Sequence, residues 1–97
     1  MYTVYIIYSE KLNRYYIGCT KEMEVRLKFH LEATQSRKFT YRADDWVLFF
    51  KIECMSKIQA QSVEKHIKKM KSRTYIQNLL KYPEMSTKLL ENYSAIL

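Results

Sequence analysis

Two runs of β-branched and aromatic residues, 2–8 and 15–19, flank the polar stretch Ser9-Glu10-Lys11-Leu12-Asn13-Arg14. This pattern reads as an antiparallel hairpin and commits the first part of the chain to a sheet. If facing residue numbers sum to 23, Tyr5 lies opposite Gly18 and Tyr16 opposite Ile7, which puts both phenols on one face. Gly18 is the only glycine in the chain. A glycine inside a strand weakens it and marks close approach by a ligand or backbone, so beside Tyr5 it leaves room for a phosphate. The plain alternative for either phenol is core packing, because tyrosine suits strands and this chain has nine.

After the hairpin the period changes. Thr20 suits an N-cap, Glu22 and Glu24 fall in a first turn, and Met23, Leu27 and Leu31 recur at helical spacing, predicting an amphipathic helix from Thr20 to about Ala33. Residues 34–44 are polar and basic and read as a surface loop. Trp46 to Glu53 is a nearly continuous apolar run of strand length. Ser56 then caps a second helix running to about Lys71, with Ile58, Val63, Ile67 and Met70 as its apolar stripe. A shorter helix follows Ser72 and stops at about Lys81, ahead of Pro83. The segment from Ser86 to Leu97, with Leu89, Leu90, Tyr93 and Leu97, suits one more amphipathic helix or a docking segment. The expected fold is α+β: a small three-stranded antiparallel sheet flanked by helices in the order β-β-α-β-α-α. Residues 1–82 form the domain and 83–97 a C-terminal helical tail.

A chain of 97 residues has material for one compact unit. Its longest apolar stretches are far shorter than the roughly 20 residues of a membrane span, and no signal-peptide pattern opens it, so a cytoplasmic protein without membrane association is expected. Cys19 and Cys54 have no CxxC spacing and read as reduced strand residues. With two separated histidines they make no zinc-type cluster.

The net charge of +7 is uneven. Residues 1–54 carry nine basic against seven acidic side chains, and residues 55–97 carry eight against three. The densest run, Lys65-His66-Ile67-Lys68-Lys69-Met70-Lys71-Ser72-Arg73, interrupts its cations at core spacing, so one face of a helix is basic while another is buried. That face attracts phosphate backbones, unless it is simply a solvated lysine-rich surface. It carries no Trp- or Phe-rich apolar side with which to enter a membrane.

Arg26 and His30 stand four apart on one helix face, where a guanidinium clamps phosphate and an imidazole relays a proton. Both are also ordinary helix decoration. Glu64 is less ordinary, lying beside Val63 toward the buried side of a helix whose other charges are positive. It needs a partner: either a divalent cation shared with a substrate phosphate, or a salt bridge to Arg26 or Lys68.

Tyr5, then Tyr16-Ile17-Gly18, Arg26 and His30, the Lys-Phe-Thr segment at 38–40, the Trp46-to-Phe50 strand, and Ser56 to Glu64 with Ile67-Lys68 follow an order that resembles the GIY-YIG nuclease superfamily. The resemblance covers roughly residues 2–80 and looks closest to the small single-domain bacterial members. The first triplet, Thr3-Val4-Tyr5, lacks the family's glycine, and the loop at 34–44 lacks glycine too.

The resemblance implies a metal-dependent endonuclease cutting phosphodiester bonds of nucleic acid, expected to be DNA and to be structure-selective or weakly selective, in DNA repair or recombination. It implies Mg²⁺ or Mn²⁺ on Glu64, Tyr5 as general base, Tyr16 orienting water or phosphate, Arg26 stabilising charge, and His30 assisting. Gly18, Lys38, Thr40, Arg42, Lys65, Lys68, Lys69, Lys71 and Arg73 are the expected nucleic-acid contacts. A non-cleaving nucleic-acid-binding module on the same scaffold is the alternative. A protein partner, or self-association through the tail, is a further expectation.

Overall fold

The computed structural model describes residues 2–22 and 45–94. The helix expected over 20–33, with Arg26 and His30, lies outside these residues beyond Glu22, as does the loop at 34–44 with Lys38, Thr40 and Arg42.

The hairpin forms with the expected register. β1 (Tyr2–Ser9) and β2 (Arg14–Thr20) pair antiparallel with Tyr5 opposite Gly18 and Ile7 opposite Tyr16. The turn closes through Asn13, whose φ of 53° is left-handed; its amide donates to the Glu10 carbonyl at 3.1 Å. Asparagine is among the few residues that tolerate this geometry. The loop is tied down by Asp45: Ser9 Oγ donates to Asp45 Oδ1 at 2.6 Å and the Lys11 amide to Oδ2 at 2.9 Å. These two donors hold the Asp45 carboxyl below its ordinary range, the Ser9 hydroxyl contributing most.

β3 (Val47–Cys54) pairs with the other side of β1, giving an antiparallel sheet of order β2-β1-β3. It starts one residue later than the apolar run suggests, since Trp46 packs as a buried residue ahead of it. A bulge between Ile6 and Ile7 moves the partner from Phe50 to Leu48. Phe49 is left unpaired by the bulge, and Phe49 and Phe50 both pack against the main core.

Three helices follow β3. α1 (Lys57–Met70) starts where Ser56 Oγ accepts from the Gln59 amide at 3.0 Å, and it ends at Lys71, with φ 46°. Its buried line is Gln59, Ala60, Val63 and Ile67. The expected stripe differs at Ile58 and Met70, which are 58% and 45% exposed; Ile58, two residues before Ala60, has turned about 200° away, and Met70 is the last residue of the helix. α2 (Arg73–Lys81) is capped by Ser72 Oγ, which accepts from the Tyr75 amide at 3.1 Å. Tyr82 then ends α2 and begins α3 (Pro83–Asn92), so Pro83 both forbids continuation and supplies the first turn of the next helix. This last helix therefore begins three residues before the expected Ser86. It docks on the rest of the fold: Leu89 joins the core, Gln59 Nε2 donates to the Leu90 carbonyl at 3.1 Å, and His66 Nδ1 and Tyr93 Oη are 2.9 Å apart.

Strand alternation divides the interior in two. Val4, Ile6, Ile52 and Cys54 face the helices and pack with Ala60, Val63, Ile67, Ile76 and Leu79. Tyr5, Ile7 and Trp46 gather on the opposite face, with Tyr16 and Leu12 against them. Both thiols are free, as expected; burial and then the neighbouring Cys19 push the Cys54 thiol up to about 11.

Candidate active site

The two tyrosines of the hairpin differ in surroundings. Tyr5 is 2% exposed, and its hydroxyl lies over Gly18, where an added β-carbon would stand 2.5 Å from Oη and 2.7 Å from Cζ. Gly18 is thus filled by the Tyr5 ring itself, so the room read from the sequence as space for a phosphate is taken by the phenol. Tyr16, two residues along on the same face, is half-buried and lines a shallow cavity of about 360 Å³ with Tyr15, Ile17 and Lys68.

Glu64 stands on the other side of the sheet, on α1, next to the outer strand β2. Its side chain is 18% exposed, and Oε2 lies 3.1 Å from Lys68 Nζ one turn on. The Cys19 thiol of β2 also hydrogen-bonds the carboxylate. Burial first, then the Glu64 charge and this bond, raise the thiol pKa and keep it a donor. Of the partners read from the sequence for Glu64, the structure supplies Lys68. Among the described residues no group of three His, Cys, Asp or Glu side chains is placed to hold a metal. A single carboxylate nevertheless fits an ion such as Mg²⁺, which takes one or two carboxylates and fills its remaining positions with water and substrate phosphate.

Phenols and carboxylate therefore lie on opposite faces of the sheet, with Glu64 beside the outer strand β2. Lys68 joins them, pairing with Glu64 and bordering the Tyr16 cavity. The i,i+4 spacing of Glu64 and Lys68 was visible in the sequence, but their position beside Cys19 required the packing of α1 on β2.

The basic run splits in two. Lys68, Lys71 and Arg73 border a cleft of about 440 Å³ between the hairpin tip and the α1–α2 junction, together with Arg14. Lys65 and Lys69 face a different cavity of about 580 Å³, with His66 and Tyr93. Arg73 is clamped: Nη1 donates to the Asn13 carbonyl at 2.9 Å and Nη2 to Asn13 Oδ1 at 2.6 Å, and its guanidinium lies 5.4 Å from the Tyr15 ring centroid. Sequence reasoning passed over Arg14, Tyr15, Asn13 and Cys19. The signal for the first two was a cation beside an aromatic doublet at the start of β2.

The family model of the GIY-YIG catalytic domain matches residues 1–77. The chain belongs to the GIY-YIG family. No curated protein and no solved structure matches it significantly. Membership of the GIY-YIG family gives the chain a nuclease-type function, with nucleic acid as its binding partner, and nucleases of this family generally depend on a divalent metal. Among the described residues no helix is long and apolar enough to cross a membrane.

Proposed function

We propose that the chain is a metal-dependent endonuclease that hydrolyses phosphodiester bonds of DNA at the outer edge of β2, with structural rather than sequence selectivity. The observation that carries this reading is the junction made by Lys68, which links the Glu64 carboxylate to the cavity of Tyr16 within the matched GIY-YIG domain.

Glu64 is the residue that would hold Mg²⁺ or Mn²⁺, and a divalent ion there supplies Lewis-acid stabilisation of the phosphoryl oxygens. The Cys19 thiol and the Lys68 ammonium hold the carboxylate in place. Tyr16 meets solvent and Tyr5 is buried behind it, which supports Tyr16 as the phenol that touches the attacking water and Tyr5 as the group that shapes the pocket over Gly18. The resemblance alone favoured Tyr5 as the base. Lys68 lines the same cavity as Tyr16, which places a cation where a substrate phosphate beside this phenol would lie. Arg26 is assigned the charge that builds on the phosphoryl group, and His30 a hydrogen bond to a tyrosine or to the leaving oxygen. Both assignments rest on the family resemblance. With few residues available for base reading, cations on phosphates supply most of the affinity, and shape decides the substrate.

The test is cleavage of labelled duplex, flap, branched and single-stranded DNA and RNA in Mg²⁺ or Mn²⁺, beside folded Glu64→Ala, Tyr16→Phe and Tyr5→Phe proteins. Metal-dependent cutting by the wild type that is lost in Glu64→Ala supports the reading. Absence of cutting on every substrate, with binding equal in wild type and Glu64→Ala, would leave a binding module instead.

A further inference from the structure

Apart from Lys68, the cleft at the hairpin tip is lined by residues that the cutting chemistry does not use. Its rim is cationic, with Arg14, Lys68 and Lys71, while Ile17, Ile67 and Ile76 form an apolar floor. It shares Tyr15, Ile17 and Lys68 with the Tyr16 cavity, so the two depressions run together along the outer edge of β2. Between rim and floor stands Arg73, its two amino groups fixed by Asn13 and its guanidinium over Tyr15, whose ring is itself packed against Tyr8 at 4.7 Å, tilted, and against Phe49 edge-on at 5.1 Å.

A guanidinium held in this way is a flat cationic plate. Such a plate stacks an unstacked base, while lysine and arginine on the rim take the adjoining phosphates. A base within a duplex has no free face to offer, whereas an unpaired one does. We infer that this cleft binds an unpaired nucleotide flanking the scissile phosphate, its base on Arg73 and its phosphates on Arg14 and Lys71. Given the proposed nuclease function, on which this inference rests, the cleft makes the enzyme prefer junctions between duplex and single strand.

Fluorescence anisotropy in EDTA with the full chain compares a blunt DNA duplex with the same duplex bearing a single-stranded flap, 2-aminopurine standing at the first unpaired position. The flap is expected to bind about tenfold more tightly, in line with one base–side-chain stack, and the 2-aminopurine emission to fall on binding. Arg73→Lys, which keeps the charge but removes the plate, is expected to abolish the preference for the flap over the blunt duplex and to restore the emission. Arg14→Gln with Lys71→Asn, where asparagine tolerates the left-handed backbone of residue 71, is expected to reduce the salt slope of flap binding by about two.

Equal affinity for flap and duplex, unchanged emission in the bound complex, or a preference that survives Arg73→Lys would each overturn the subsite. If Arg73→Lys fails to fold, the wild-type emission decides alone. The two readings fail separately: a chain that cuts blunt duplex and flap equally sinks the subsite and keeps the nuclease, and one that quenches the flap base but never cuts in metal does the reverse.

Discussion

The Tyr5 hydroxyl oxygen occupies the space in which a β-carbon on Gly18 would stand, 2.5 Å from that position. The ring cannot simply swing aside, since it is packed against Ile7 and Trp46 and is almost fully buried. Gly18→Ala should therefore destabilise the domain by about 1–3 kcal/mol, the usual range for overpacking a filled interior. Cleavage should fall further than stability does, because the tyrosine face is displaced. Urea denaturation and a cleavage rate measured well below the midpoint separate the two effects.

Breaking the Glu64–Lys68 pair should leave the fold nearly untouched. The Lys68 side chain is 55% exposed, and a helical pair of this spacing contributes about 0.3–0.5 kcal/mol. Lys68→Met should thus melt within a few degrees of the wild type and yet cut poorly, since one side chain borders both halves of the site. Equal activity of Lys68→Met and wild type would remove Lys68 from the mechanism.

The hairpin tip depends on a left-handed asparagine. Asn13→Ala loses the Oδ1 acceptor shared by Arg73 and the Tyr8 hydroxyl and also strains the turn, for a combined loss of about 1–3 kcal/mol. Asn13→Gly relieves the backbone and keeps the carbonyl that Arg73 Nη1 uses, so it should be the milder change. Thermal melts of the two variants rank them.

Two groups set pH limits on opposite sides. The Asp45 carboxyl is held below its ordinary 3.8, so its contribution is complete above that value and disappears as pH falls through the lower native value. The Lys11 amide shift should report this titration by NMR, and Asp45→Asn should abolish it. Cys54 titrates near 11 in the fold against 9.0 when unfolded, so its share is present below pH 9 and declines between 9 and 11. Alkylation of Cys54 at pH 8 should wait on opening of the core, and its rate should follow denaturant concentration.

Local rules carried much of the fold. The pairing of Tyr5 with Gly18 follows from alternation and one loop length, and Ser56, Ser72 and Pro83 mark helix ends through chemistry that acts within a turn. What escaped was set at a distance. The bulge that frees Phe49 depends on how β1 meets β3, and Ile58 proved exposed because the sheet touches a face of α1 centred on Ala60. The site behaved likewise. Glu64 stood out as a carboxylate in need of company, but that Cys19 supplies a donor to it, and that Arg73 is spoken for by Asn13, sixty residues away, follows only from tertiary packing.

Sheet order has a consequence for the chain during its synthesis. β1 is the central strand, yet only one of its two partners lies close by in sequence; the other begins at Val47. Until β3 has emerged, the hairpin waits with the Tyr2–Tyr8 edge open, a row of unsatisfied backbone groups under an apolar surface. A nascent chain stalled before Val47 would accordingly be the species most in need of a chaperone, and the arrival of β3 the event that ends that exposure.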